Sequence, residues 1–223
     1  MEKNKFESAA KDVRYLLNRG YPKTSTLRFV CNHYCLNKSQ RNLLSRLIVP
    51  DIISKSRHNK KLSCKDIKGA SVVIDGYNLI ITVDSILTDN DLWKCNDGFV
   101  RDNRGIFRNY KISDTTYNAI ETIITALEDR KPSSTKIILD SQMSKSGLLA
   151  DHIRNMVQHR LPNTHVCTSS KTDYHIKMEL DKIIITSDGI IIDSVNKVID
   201  LAECIAIRKK VTINELNLTE PQY

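Results

Sequence analysis

Residues 71–80 read SVVIDGYNLI. Val72, Val73 and Ile74 form an unbroken β-branched run, the pattern of a strand buried on both faces. The run ends on a carboxylate, Asp75, and Gly76, Tyr77 and Asn78 follow before apolar residues resume. In an open parallel sheet the ligand crevice lies outside the carboxyl ends of the strands. A buried strand that delivers an aspartate there predicts both an α/β fold and a place for chemistry.

Working outward, TKIILD (135–140) and HVCTSS (165–170) read as a second and a third strand, and DKIIITSDGIIID (181–193) contains a fourth. Between them lie helical patterns: a helix or lid over 79–92, a capped helix over 112–130 with Ser113 or Asp114 at its start, another over 144–161, a short one at TDYHIKMEL (172–180), and one over 194–209. CNDGFVRDNRGIFRNYK (95–111) reads as a loop or short hairpin, and VTINELNL (211–218) as a last edge strand. Strands alternating with helices call for a parallel sheet covered by helices.

The preceding third differs. Residues 7–18 place Ala10, Val13, Leu16 and Leu17 on one helical face, and Gly20 and Pro22 end that helix. Further helices are expected over about Thr24–Tyr34 and Lys38–Leu47, the last capped by Asn37 or Ser39. The expected division is a small all-α basic domain at 1–50, a linker or basic arm at 51–68, where SKSRHNKKLSCK (54–65) is polar and cationic, and the α/β domain at 69–223.

The net charge is +8 over 223 residues, with 40% hydrophobic residues, enough to bury a core. Residues 1–66 hold 15 Lys+Arg against five Asp+Glu, whereas the remainder holds 19 against 21. A basic third on a slightly acidic body suggests a polyanion partner. The candidate phosphate contacts are Arg14, Arg19, Lys23, Arg28, Arg41, Arg46, Lys60 and Lys61. No apolar run approaches the ~18 residues of a membrane span, and the N-terminus lacks the apolar stretch of a secretory signal, so a cytoplasmic protein without a membrane partner is expected. The six cysteines are read as free thiols accordingly. In CNHYC a helix would turn His33 away from Cys31 and Cys35, which argues against zinc. There is no GxxxxGK[ST] segment, so no nucleotide cofactor is expected.

Aspartates recur at the strand ends: Asp75 after the first, Asp140 after the second, Asp173 between the third and fourth, Asp188 after the fourth and Asp193 soon after. Each has a purely local alternative. Asp173, Asp140 and Asp193 could each cap a helix, Asp193 the one beginning at Ser194, and Asp188 could sit in a hairpin turn. Gathered at one edge, however, such carboxylates repel unless a divalent cation neutralises them, and hard oxygen ligands suit Mg²⁺ or Mn²⁺. Such an ion binds phosphate and acidifies a bound water. Gly76 permits close approach, and Asn78 can orient a water or phosphate oxygen without adding charge.

The succession VVIDGYN, IILD, TDYHIK and IIITSD resembles the PIN-like nucleases, and within them the NYN branch. The whole chain is also similar to a prokaryotic, mostly archaeal, family in which a small helical domain precedes a PIN-like one. The resemblance implies a parallel sheet in the order 3-2-1-4-5 and Mg²⁺- or Mn²⁺-dependent ribonuclease activity. It implies catalytic roles for Asp75, Asn78, Asp173 and Asp188; with the strand-end aspartates Asp140 and Asp193, the expected metal set is Asp75, Asp140, Asp173, Asp188 and Asp193. The family's usual acid on the helix between the first two strands is left open among Asp84, Asp102, Asp114 and Glu121. The expected function is a metal-dependent endoribonuclease whose basic N-terminal domain holds RNA. The alternative is a non-catalytic RNA-binding protein on a degenerate PIN-like scaffold, and small-molecule phosphotransfer ranks below both. Homo-oligomerisation is left open.

Overall fold

A computed structural model of the chain describes residues 2–105 and 110–218. They divide into two compact units, each built from separate stretches of chain.

The first unit comprises residues 1–59, 91–105 and 213–223. Its helices are α1 (Glu2–Asn18), α2 (Lys23–His33), α3 (Lys38–Leu47) and most of α4 (Asp51–Lys60). Phe6, Ala9, Ala10, Val13 and Leu17 give α1 an apolar stripe, which packs with Val30 of α2 and Leu44 and Leu47 of α3. Asn37 starts α3 through a reciprocal capping box with Gln40, both bonds at 2.9 Å. Residues 51–60, expected as part of a linker or arm, are helical. Their apolar content is low because the helix is fixed by polar contacts: Asn18 Oδ1 accepts from the Asp51 backbone amide at 2.7 Å, and the buried Arg57 donates to Asp97 Oδ2 at 2.7 Å. A three-stranded sheet completes this unit, with β2 (Leu92–Lys94) between antiparallel β3 (Val100–Asp102) and parallel β8 (Ile213–Glu215). The expected hairpin and edge strand thus belong to the unit expected to be all helical. Residues 106–109 of the expected 95–111 loop lie outside the described residues.

The second unit comprises residues 60–90 and 106–212. Its five-stranded sheet is parallel throughout and contains β1 (Ser71–Asp75), β4 (Ser134–Asp140), β5 (Thr164–Ser169), β6 (Ile183–Ile185) and β7 (Val198–Ile199). Spatial order is β5-β4-β1-β6-β7. These chain-order labels do not read 3-2-1-4-5, because β2 and β3 intervene in the chain and pair in the other sheet. Flanking helices are α5 (Gly76–Leu87), α6 (Asp114–Arg130), α7 (Ser146–Val157), α8 (Thr172–Lys177), α9 (Gly189–Ser194) and α10 (Leu201–Arg208). α5 is buried along nearly its whole length, so it is a core helix rather than a lid. Gly76 opens it where no side chain fits: a Cβ there would stand 2.5 Å from Leu139 Cδ2 and 2.9 Å from the Ile138 carbonyl oxygen.

Three other expectations change. The segment 194–209 is not one helix. Val198 and Ile199 pair with β6, and Asp200 then starts α10 by accepting from the Glu203 amide at 3.0 Å. Residues 189–194 form α9 and no hairpin. Cys64 and Cys204 are not free thiols but form a disulfide across 140 residues of sequence, tying the 3-10 turn Cys64–Ile67 to α10. Cys31, Cys35, Cys95 and Cys167 are free. Among the described residues, no helix is long and apolar enough to cross a membrane.

Candidate active site

β1 stands at the centre of the parallel sheet, so its carboxyl end is flanked by those of β4 and β6. Asp75 pairs in register with Ile138, and β4 runs two residues further to Asp140. Beyond β6, Thr186 and Ser187 lead to Asp188 at the start of α9, while Asp173 lies in the first turn of α8. Asp75, Asn78, Asp140, Asp173 and Asp188 all line one cavity of about 600 Å³, together with Tyr77, Gln142, Met143 and Thr172.

The side chains are held to different degrees. Thr186 Oγ1 donates to Asp75 Oδ2 at 2.9 Å and accepts from the Asp188 amide at 3.0 Å, so one hydroxyl fixes two elements of the site. Asn78 Oδ1 accepts from both the amide and the hydroxyl of Ser187, at 2.9 and 3.0 Å. Its carbonyl oxygen therefore tacks the β6–α9 turn to α5, and only its amide nitrogen is left for a ligand. Asp188 caps α9, with Oδ1 accepting from the Ile190 and Ile191 amides at 2.7 and 3.3 Å. Asp140 Oδ1 accepts from the Gln142 amide at 2.8 Å, closing a local turn rather than capping α7. Asp173 is exposed and does not cap α8 either, since the residue at that position is Lys171.

The Asp75 carboxyl is disfavoured as an anion chiefly by burial, with charge crowding second. Burial lifts its pKa from 3.8 to about 7, and the charges of Asp188 and Asp173 add to the lift against the Thr186 hydrogen bond and the hydrogen bond from the Asn78 backbone N–H. The Tyr77 phenol is pushed up to about 12 by burial and then by Asp140.

Several expected site residues lie elsewhere. Asp193 is exposed in the last turn of α9 and does not line the cavity, and the helix it was expected to cap does not begin at Ser194. Asp84 is buried within α5, Asp102 belongs to the first unit, and Asp114 and Glu121 lie on α6. None of the four lines the cavity. Of the basic candidates, five are engaged inside their own units. Arg14 forks onto Asp51 at 2.7 and 3.0 Å, Arg41 donates to the Leu36 carbonyl at 2.8 Å, and Arg46 donates to the Asp102 carbonyl at 2.8 Å. Lys60 caps the end of α9 through the Ile192 and Asp193 carbonyls at 2.9 and 3.0 Å, and Lys61 pairs with Glu203 at 2.6 Å. Arg19, Lys23 and Arg28 keep much of their surface exposed, and partial desolvation of the Lys23 ammonium, with the guanidiniums of Arg57 and Arg101, holds it below its ordinary pKa. Charge counting along a sequence cannot separate such structural cations from open ones. Thr186 and Ser187 were missed. The signal was there, in two hydroxyl residues closing a buried strand just before Asp188.

The donor chemistry is all hard oxygen, which suits Mg²⁺ or Mn²⁺. Among the described residues, however, no three His, Cys, Asp or Glu side chains form a group that could by itself hold a metal ion. A cation here would therefore keep waters or take phosphate oxygens as further ligands, as Mg²⁺ commonly does.

The second unit is thus an α/β domain with an acidic cavity at the carboxyl edge of its central strands. The chain belongs to the family described as "Domain of unknown function (DUF5616)", matched over residues 64–204, and residues 5–60 match "Protein of unknown function (DUF434)". It is 36% identical to "Uncharacterized protein MJ0935" of Methanocaldococcus jannaschii over 207 residues, covering 92% of this chain and 98% of that one. No solved structure matches.

Proposed function

We propose that the protein is a metal-dependent endoribonuclease of PIN-like type, with RNA held by its basic N-terminal region. The observation that carries the reading is the convergence of Asp75, Asp140, Asp173 and Asp188, from four separate elements, on one cavity. Burial beside the charges of Asp188 and Asp173 raises the pKa of Asp75, and folding tolerates that cost where function requires it. These four would hold the cation, which supplies charge neutralisation at a phosphodiester and a more acidic attacking water. Thr186 keeps Asp75 Oδ2 in place. The Asn78 amide nitrogen can donate to a phosphate oxygen. Asp75 carries a proton part of the time near neutrality, so cation binding is coupled to release of that proton and strengthens as pH rises through 7.

The test is incubation of a mixed panel of structured and unstructured RNAs with the full chain and Mn²⁺. Cleavage that stops with chelator and in Asp75→Asn and Asp188→Asn supports the proposal. An uncut panel at saturating Mn²⁺ refutes it. The missing three-ligand group favours a second reading, an RNA-binding scaffold without catalysis. That reading expects salt-sensitive RNA binding unchanged by either aspartate substitution.

A further inference from the structure

Tyr15, Tyr21 and Phe29 are 54%, 57% and 67% exposed, unusual for large rings in a unit with its own apolar core. All three lie on the hairpin of α1 and α2. Tyr15 lies on the solvent side of α1, away from the buried Val13 and Leu17, and Arg19 follows four residues later in the turn after the helix, its guanidinium 5.0 Å from the Tyr15 ring centroid. Tyr21 lies in the turn, and Arg28 and Phe29 occupy the solvent side of α2, away from the buried Thr26 and Val30. The two helices fold back on each other, and Tyr34 at the end of α2 donates to Asp12 of α1 at 2.8 Å. Among the described residues, Arg19 and Arg28 are also two of the three basic candidates whose side chains make no hydrogen bond or ion pair.

We propose that this outward face of the α1–α2 hairpin is a stacking platform for single-stranded RNA. The proposal deepens the ribonuclease reading and rests on its choice of RNA. Rings alone would suit many partners. Rings interleaved with arginines, in a unit with 15 basic and nine acidic residues, fit a polyanion that also offers flat apolar faces. Unpaired bases supply those faces and the backbone supplies the charge. Arg19 over Tyr15 is a cation–π pair already assembled, to which a base can add a further layer. Duplex RNA keeps its bases stacked inside the helix and shows mainly phosphates and 2′-hydroxyls, so the rings gain nothing from it. The platform therefore selects single strands, which arginines alone do not.

The test is fluorescence anisotropy on the full chain carrying Asp75→Asn, in chelator, with a labelled oligouridylate of about 12 nucleotides and a duplex of equal length. The strand binds roughly tenfold or more tighter than the duplex at equal salt. Joint Tyr15→Ala and Phe29→Ala substitution weakens strand binding roughly tenfold or more and leaves duplex binding unchanged, whereas Tyr15→Phe with Phe29→Tyr restores it. Both sites are exposed, and unchanged circular dichroism checks the fold. Equal binding of strand and duplex, no loss in the alanine variant, or no RNA binding at all overturns the proposal. Because the protein in this assay cannot cleave, failure of catalysis in the RNA panel and failure of the platform are separate results.

Discussion

Asp75→Asn should make the protein more stable at pH 8 while abolishing the proposed cleavage. In the folded chain the Asp75 carboxyl is raised from 3.8 to about 7. Between these values the folded state binds more protons than the unfolded one, so stability falls as pH rises from about 4 to about 7. By pH 8 the ionised form carries a penalty of about 4 kcal/mol, taking 1.36 kcal/mol per pKa unit. Asparagine removes the charge and can still accept the Thr186 hydroxyl, but its amide needs a new partner, which costs about 1–3 kcal/mol if none is found. A net gain of roughly 1–3 kcal/mol at pH 8, shrinking to nothing or reversing at pH 4, follows. Urea unfolding in chelator, followed by far-ultraviolet circular dichroism, measures it. The single tryptophan, Trp93, belongs to the other unit, so its fluorescence is not the readout used. Mn²⁺ should raise the urea midpoint of the parent chain and much less that of the variant. A parent stability flat from pH 4 to 8, with Asp75→Asn neutral or destabilising throughout, would refute the account of Asp75 as a buried carboxyl crowded by its neighbours.

Gly76→Ala places a methyl against Leu139 and the Ile138 carbonyl oxygen, so it should cost about 1–3 kcal/mol in thermal unfolding and impair any cleavage. Asp97 is fully buried between Arg57 and Arg101, at 2.7 and 2.8 Å. Asp97→Asn should destabilise the first unit by about 3–5 kcal/mol, read by Trp93 fluorescence. Burial opposes ionisation of Asp97, but the two guanidiniums outweigh it and hold its pKa below 3.8, so this stabilisation is present above that value and is lost as pH falls below it. Cys64→Ser with Cys204→Ser frees a loop of 140 residues and should lower stability by up to about 5 kcal/mol. An unchanged melting midpoint in the double variant, or with reductant, would count against the disulfide.

The parallel sheet and the heart of its site were legible because their signals are local. A β-branched run that ends on Asp75 needs no knowledge of distant residues, and the same holds for the ends of β4 and β6. What was hidden depends on partners far away in sequence. Leu92 pairs with Ile213, so the second sheet cannot be read from either segment alone. The helix at 51–60 looks like a solvated arm until Asp97 appears beside Arg57. Asp193 resembles its neighbours in sequence, but one short helix, α9, turns it away from the cavity that Asp188 enters. The five engaged basic residues carry the same lesson about charge, since their pairing with carboxylates and carbonyls exists only once the chain has folded.

The first unit is assembled from three stretches, and the second is inserted between them twice. During synthesis, the early helices must wait for β8 until every residue of the parallel sheet has left the ribosome. A fragment cut after α4 would lack both arms of the small sheet, and removing residues after 212 would injure the amino-terminal module rather than the domain next to the cut. Expression of the helical region by itself therefore calls for a circularly permuted or fused design, with the 91–105 and 213–218 segments stitched back in.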